Sequence, residues 1–271
     1  MFRVINYAIT RDVKMIEHTI PLIHILVIIA ISYVAARLLM SKQRIPHFRT
    51  LEPLAAIPEL IGRCVEMGRP VLFSIGGAAL RTESAALAEA GFTILTEVMN
   101  YSIDGDAEVV VIVNTAEHVP LLTSIMEQAY LAKGKPDMMK SENLIFIGEG
   151  QASRISGMLG AMQKWNPGAF IFPGGAAGAD SVIYGEHAAR IGAMSLAGMT
   201  NIYAWPWIVS CYDYSLLGED LLAAGAILSK DPMMMSTIWS ADLYRYILVA
   251  LIVIGIVASW IGIDITGFFQ M

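Results

Sequence analysis

Two uninterrupted apolar segments, Ile20 to Ala36 and Ile247 to Ile263, stand near the ends of the chain and leave an ordinary-looking stretch between them. A hydrocarbon core about 30 Å thick needs about 20 mostly apolar helical residues, with a lower limit near 17. The first segment holds no Asp, Glu, Lys or Arg. The second follows Tyr244, Arg245 and Tyr246 and stays uncharged until Asp264. Aromatic and Arg residues suit a headgroup boundary. A cleaved secretory signal is a poor account of the first, because Asp12 and Glu17 precede it and Arg37 stands where small residues should mark cleavage. A buried core helix is a poor account of the second, which shows no polar stripe at helical spacing. The expectation is two transmembrane helices, over 20–40 and 244–263, enclosing a domain over 50–235, with short segments 1–19 and 264–271 outside the membrane.

Orientation follows from Lys and Arg near the helix ends, whose excess marks the cytoplasmic side. Arg37, Lys42, Arg44 and Arg49 follow the first segment, and Lys230 and Arg245 precede the second. The outer side offers Arg3, Arg11 and Lys14. The expected topology is a two-pass cell-membrane protein with the middle domain cytoplasmic and both termini outside. Cys64 and Cys211, the only cysteines, fit a reducing compartment. A net charge of −6 without a basic run excludes nucleic acid as a partner by bulk electrostatics.

Within the middle, short apolar runs alternate with helical patterns. Strands are expected at Val71 to Ile75, Glu108 to Val113, Leu144 to Ile147, Ala169 to Phe172 and near Ala193 to Ala197. Helices fall between them, and a last helix covers Leu216 to Leu228 with Ser215 as its N-cap. Continuous rather than alternating apolar strands are what a parallel sheet covered on both faces requires. The expected fold class is α/β: a Rossmann-like parallel-sheet domain flanked by an N-terminal and a C-terminal transmembrane helix.

Three strands end in glycine: Ser74-Ile75-Gly76-Gly77-Ala78-Ala79, Ile147-Gly148-Glu149-Gly150 and Phe172-Pro173-Gly174-Gly175-Ala176-Ala177-Gly178. At the carboxyl edge of a parallel sheet such loops can bring backbone N–H groups and helix N-termini to a ligand. Gly76, Gly77, Gly148, Gly150, Gly174 and Gly175, with Asp180, are the candidate binding residues. The simpler account, in which Gly and Ala permit tight turns and close helix packing, is favoured. No loop completes G-x-G-x-x-G or a phosphate loop, and Glu149 and Asp180 would face any phosphate, with Arg81 and Arg154 as partial offsets.

Catalytic constellations are thin. Asp180, Tyr184 and His187 share a helix face at i, i+4 and i+7, and Glu186 with Arg190 makes an ordinary i,i+4 pair. No metal-ligand spacing, C-x-x-C, nucleophile elbow or H-E-x-x-H is present, so no metal, cofactor or catalytic residue is assigned. Cys64 reads as core. The Tyr203-Ala204-Trp205-Pro206-Trp207 cluster lies in a segment expected to be broken at Pro206 and reads as core, subunit contact or membrane-facing edge. Small residues in the two apolar segments, among them Ser32 and Gly255, suit helix–helix contact in lipid.

The run Ile61-Gly62-Arg63-Cys64-Val65-Glu66-Met67-Gly68-Arg69-Pro70-Val71-Leu72-Phe73, the segment from Ala129-Tyr130-Leu131-Ala132 to Gly134-Lys135-Pro136-Asp137, and Cys211-Tyr212-Asp213-Tyr214 with Leu217-Gly218-Glu219-Asp220-Leu221 resemble an uncharacterised family of bacterial and archaeal membrane proteins. The similarity covers Pro58 to Pro232 and both flanking segments. It implies membrane anchoring and a prokaryotic source, and supplies no catalytic residues. The expected function is a structural or scaffolding subunit of a homo-oligomeric assembly, or of one built with other small membrane proteins. The alternative is a membrane-tethered module, enzymatic or not, that binds a nucleotide or other small molecule in the glycine loops.

Overall fold

The computed structural model describes residues 25–34, 37, 50–82, 84–174 and 179–261. The chain divides into two compact units, one made of Met1–His47 with Asp231–Met271 and the other of Phe48–Lys230.

The first described element, α1 (Ile25–Val34), belongs to the smaller unit. Its ten residues rise about 15 Å, half the thickness of a hydrocarbon core. The ends of the first apolar segment lie outside the described residues.

In the larger unit, α2 (Glu52–Ala55) and α3 (Ile57–Met67) precede β1 (Val71–Phe73). The chain continues through α4 (Ala85–Asp104), β2 (Val109–Val113), α5 (His118–Ala132), β3 (Leu144–Phe146), α6 (Gln151–Trp165) and β4 (Ala169–Pro173). It ends with α7 (Ala179–Arg190), β5 (Met194–Met199), α8 (Trp205–Cys211), β6 (Tyr214–Leu217) and α9 (Glu219–Ser229).

All strand pairs are parallel, in the order β3-β2-β1-β4-β5-β6. The chain begins near the middle, winds outward to β3, crosses back and winds the other way from β4. This is a doubly wound sheet whose direction reverses between β1 and β4. Period-2 side-chain alternation divides each strand between two cores. Val71 and Phe73, Val109, Val111 and Val113, and Ala169 and Ile171 pack with α3, α4, α5 and α9. Leu72, Val110, Ile112, Phe170 and Phe172 pack with α6, α7 and α8. Burial on both faces explains the unbroken apolar runs, each large side chain contributing about 1.5–3 kcal/mol.

The last helix of this unit corrects the sequence reading. Ser215 does not cap it: Tyr214–Leu217 form β6, paired with β5 from Leu196↔Tyr214 to Met199↔Leu217. The open edge of β5 satisfies the backbone of these residues as a strand. Asp213 fixes the register by accepting from the Ser195 N–H at 2.7 Å and the Ser195 hydroxyl at 3.0 Å. Gly218 (φ 59°) then turns the chain into α9, and a Cβ there would lie 2.9 Å from the Trp205 ring. The segment expected to be broken at Pro206 is instead helical, because proline is tolerated in a first turn whose N–H groups have no helical acceptor.

The smaller unit also contains α10 (Pro232–Trp260), one helix of 29 residues and about 44 Å. Within Pro232–Val257 an 18-residue stretch has a mean hydropathy of 1.9 and is little buried, so the helix is long and apolar enough to cross a membrane. It begins well before Tyr244. Near its start Ser240 shares a 2.8 Å hydroxyl–hydroxyl hydrogen bond with Ser32 of α1.

Candidate functional site

The carboxyl ends of β1, β3 and β4 hand over to loops that carry the candidate glycines. After β1, Gly76 adopts φ 65° and its N–H donates to the buried Ser74 hydroxyl at 3.2 Å. Gly77 beside it is half-buried. After β4, Gly174 adopts φ 115°, its N–H donating to the Phe172 carbonyl at 3.0 Å. A Cβ on Gly174 would come 3.9 Å from the Ile75 carbonyl. The glycine loops of β1 and β4 therefore meet at the point where the sheet reverses direction. Gly175 lies outside the described residues.

The loop after β3 is occupied by its own neighbours. Gly148 adopts φ 91° and Gly150 precedes α6; Ser153 donates its hydroxyl to the Gly150 carbonyl at 2.7 Å. A Cβ at either glycine would lie 3.2–3.3 Å from that hydroxyl. Arg154 joins this loop to α7, donating to the Glu149 carbonyl at 3.1 Å and to Asp180 at 3.3 Å. Asp180 is buried, 1% exposed at its side chain against 20% for Arg154, and also accepts from Gln151 at 3.1 Å.

Two further carboxylates tie loop to loop. Glu117, at the start of α5, accepts from the Leu80 N–H at 2.8 Å, so the β2 loop holds the β1 loop. Glu149 accepts from the Ala116 N–H at 3.2 Å and lies 3.7 Å from Arg81, so the β3 loop holds those of β2 and β1. The acids expected to repel a phosphate, and the arginines expected to offset them, are thus paired with one another and with backbone. Glu117 escaped the sequence reading. Its only signal was its position just beyond a strand's apolar run.

His118 follows Glu117 in the first turn of α5 and is fully buried. Its ring meets Phe92 edge-on at 5.3 Å, its Nε2 lies 3.8 Å from Glu117, and neither ring nitrogen has a hydrogen-bond partner. Burial pushes its pKa down, against the opposing pull of Glu117. The Asp180, Tyr184 and His187 face does not form a relay. The hydrogen bonds of Asp180 go to α6, and Tyr184 is buried against Phe170 and Phe172, where desolvation, then the Asp180 charge, raise its phenol pKa. Glu186 and Arg190 form the expected i,i+4 pair at 2.6 Å. Among the described residues, no group of three or more His, Cys, Asp or Glu side chains has an arrangement able to hold a metal.

The fold and its edge define a doubly wound α/β protein carrying a long apolar helix, with the loops at the sheet's carboxyl edge braced by their own acids. Residues 10–269 match the family described as Domain of unknown function (DUF6754), and the chain belongs to that family. No curated protein and no solved structure matches it.

Proposed function

We propose that this chain is a membrane-anchored structural subunit whose Rossmann-like domain self-associates, or assembles with other small membrane proteins, on the cytoplasmic side. In this reading α1 and α10 belong to two spans and both termini lie outside. The observation that carries it is the bracing of the carboxyl edge: Glu117, Glu149 and Asp180 each accept from a neighbouring loop or helix. Groups that would meet a ligand in a binding protein here hold the scaffold rigid. The exposed apolar length of α10 supports anchoring, and the Lys and Arg residues flanking the two apolar segments support the orientation. The test is the size of the full chain extracted in mild detergent, by light scattering and native mass spectrometry. An oligomer or a stoichiometric co-purifying partner is expected; a bare monomer opposes the proposal.

A second reading rests on the approach of Gly174 to Ile75, the residue before Gly76, at the strand-order reversal, the place where doubly wound sheets take ligands. A nucleotide panel that raises the melting temperature, with the rise lost in Gly76→Val, would favour that reading over the scaffold.

A further inference from the structure

The geometry points to the outer face of the Ile202–Cys211 helical segment as the seam where a second copy of this chain docks, an inference that rests on the self-association proposed above. The segment is anchored from beneath. Ala204 and Ile208 are buried, the Trp205 indole donates to the Met199 carbonyl at 3.2 Å, and the Tyr212 hydroxyl donates to the Ser181 carbonyl at 2.9 Å. Above this base, Ile202 is 61% exposed, Tyr203 84%, Trp207 48% and Val209 59%. Helical spacing sets Ile202, Pro206 and Val209 beside Tyr203, Trp207 and Ser210, so the exposed side chains form one strip. Rigid aromatic side chains on a fixed base lose little freedom when covered.

Charge and area select the occupant. No Asp, Glu, Lys or Arg occurs from Thr200 to Tyr212, in a chain of net charge −6. The net negative charge opposes the approach of two copies, and the strip itself adds no charge to that repulsion. The four exposed side chains leave roughly 500 Å² uncovered, in the upper part of the range for the largest apolar patch of a monomer, a patch that often marks a functional surface. Doubled by two-fold symmetry, that is about 1,000 Å², the lower bound for a specific interface. Anchoring both copies in one membrane raises their effective concentration, so an interface at this bound suffices.

The test uses the full chain in native membranes and in detergent. Single cysteines replacing Ile202, Tyr203, Trp207 or Val209, in a Cys211→Ser background, are treated with a short bifunctional maleimide. At least one is expected to give a covalent dimer. Trp207→Glu, at an exposed side chain, is expected to weaken self-association at least tenfold while leaving the melting temperature within a few degrees. If no position cross-links and Trp207→Glu keeps the wild-type oligomer, the seam is elsewhere; the inference fails and the self-association reading stands. If the wild-type chain is a bare monomer, both fail. A fluorophore at Tyr203→Cys quenched by spin-labelled lipid assigns the face to the bilayer and also overturns the inference.

Discussion

At the residue scale, several glycines act by having no side chain rather than by binding anything. Gly91 of α4 faces Ile75, whose methyl would stand 2.4 Å from an added Cβ, and Gly225 of α9 faces Ala90 with a 2.8 Å approach to its Cα. Gly62, inside α3, has nothing within 4 Å of the same position. Gly91→Ala is therefore expected to destabilise the fold by about 1–3 kcal/mol through overpacking. Gly62→Ala should stabilise it by about 0.5–1 kcal/mol through helix propensity. Urea unfolding of the two variants in detergent checks both signs.

His118 and Cys64 give two further residue-level expectations. An imidazole whose folded pKa lies below its ordinary 6.5 binds its proton later on acidification than it does in the unfolded chain. Its effect on stability is nil above about pH 6.5 and grows unfavourable as pH falls below that value. His118→Leu should flatten the acid side of a melting-temperature profile between pH 7.5 and 5; an unchanged slope would remove His118 as its cause. Burial pushes the Cys64 thiol up to about 12, outweighing the backbone N–H groups of Gly168 and Ala169. Iodoacetamide at pH 8 should alkylate the half-buried Cys211 in the folded chain well before Cys64, as read by peptide mass spectrometry.

At the element scale, most strands and helices were readable because burial on both sheet faces writes itself as apolar runs, and because Gly68 and the acidic or small residues between runs punctuate them. The exceptions have one physical cause. Tyr214–Leu217 is a strand because the edge of β5 is there to pair with it, and a four-residue run cannot announce such a partner. The segment around Pro206 is a helix because Ala204 and Ile208 find a core beneath them. The element α10 carries its own signal, since its apolar residues occur on all sides. Val253→Arg, in the middle of its uncharged run, should cost about 2.5–3.5 kcal/mol of insertion. It should therefore lower the fraction of chain recovered in carbonate-washed membranes.

At the scale of the whole molecule, the topology proposed above sets which side of a membrane the α/β unit faces. The proposed topology predicts that Leu131→Cys, at an exposed position on α5, is labelled by an impermeant maleimide only after sealed, right-side-out membranes are permeabilised. Labelling of intact vesicles would invert the topology. The carboxyl edge shows the same limit of local reading. Its glycines and its charged residues were visible in the sequence, yet whether they would surround a ligand or brace one another was not.

The amino-acid sequence alone determined the alternation of strand and helix, the two-sided burial of the sheet and the long apolar character of α10, since each is a property of neighbouring residues. Tertiary structure decided which acid answers which donor. Glu117 reaches back 37 residues to Leu80, Glu149 reaches back 33 to Ala116, and Asp180 reaches back 26 to Arg154. Those separations close only when the strands take the order β3-β2-β1-β4-β5-β6 and bring their loops to one edge. The aromatic cluster around Trp205 was decided in the same way. Its inner and outer faces became distinct only when α8 settled against the sheet, burying Ile208 and leaving Tyr203 and Trp207 outside.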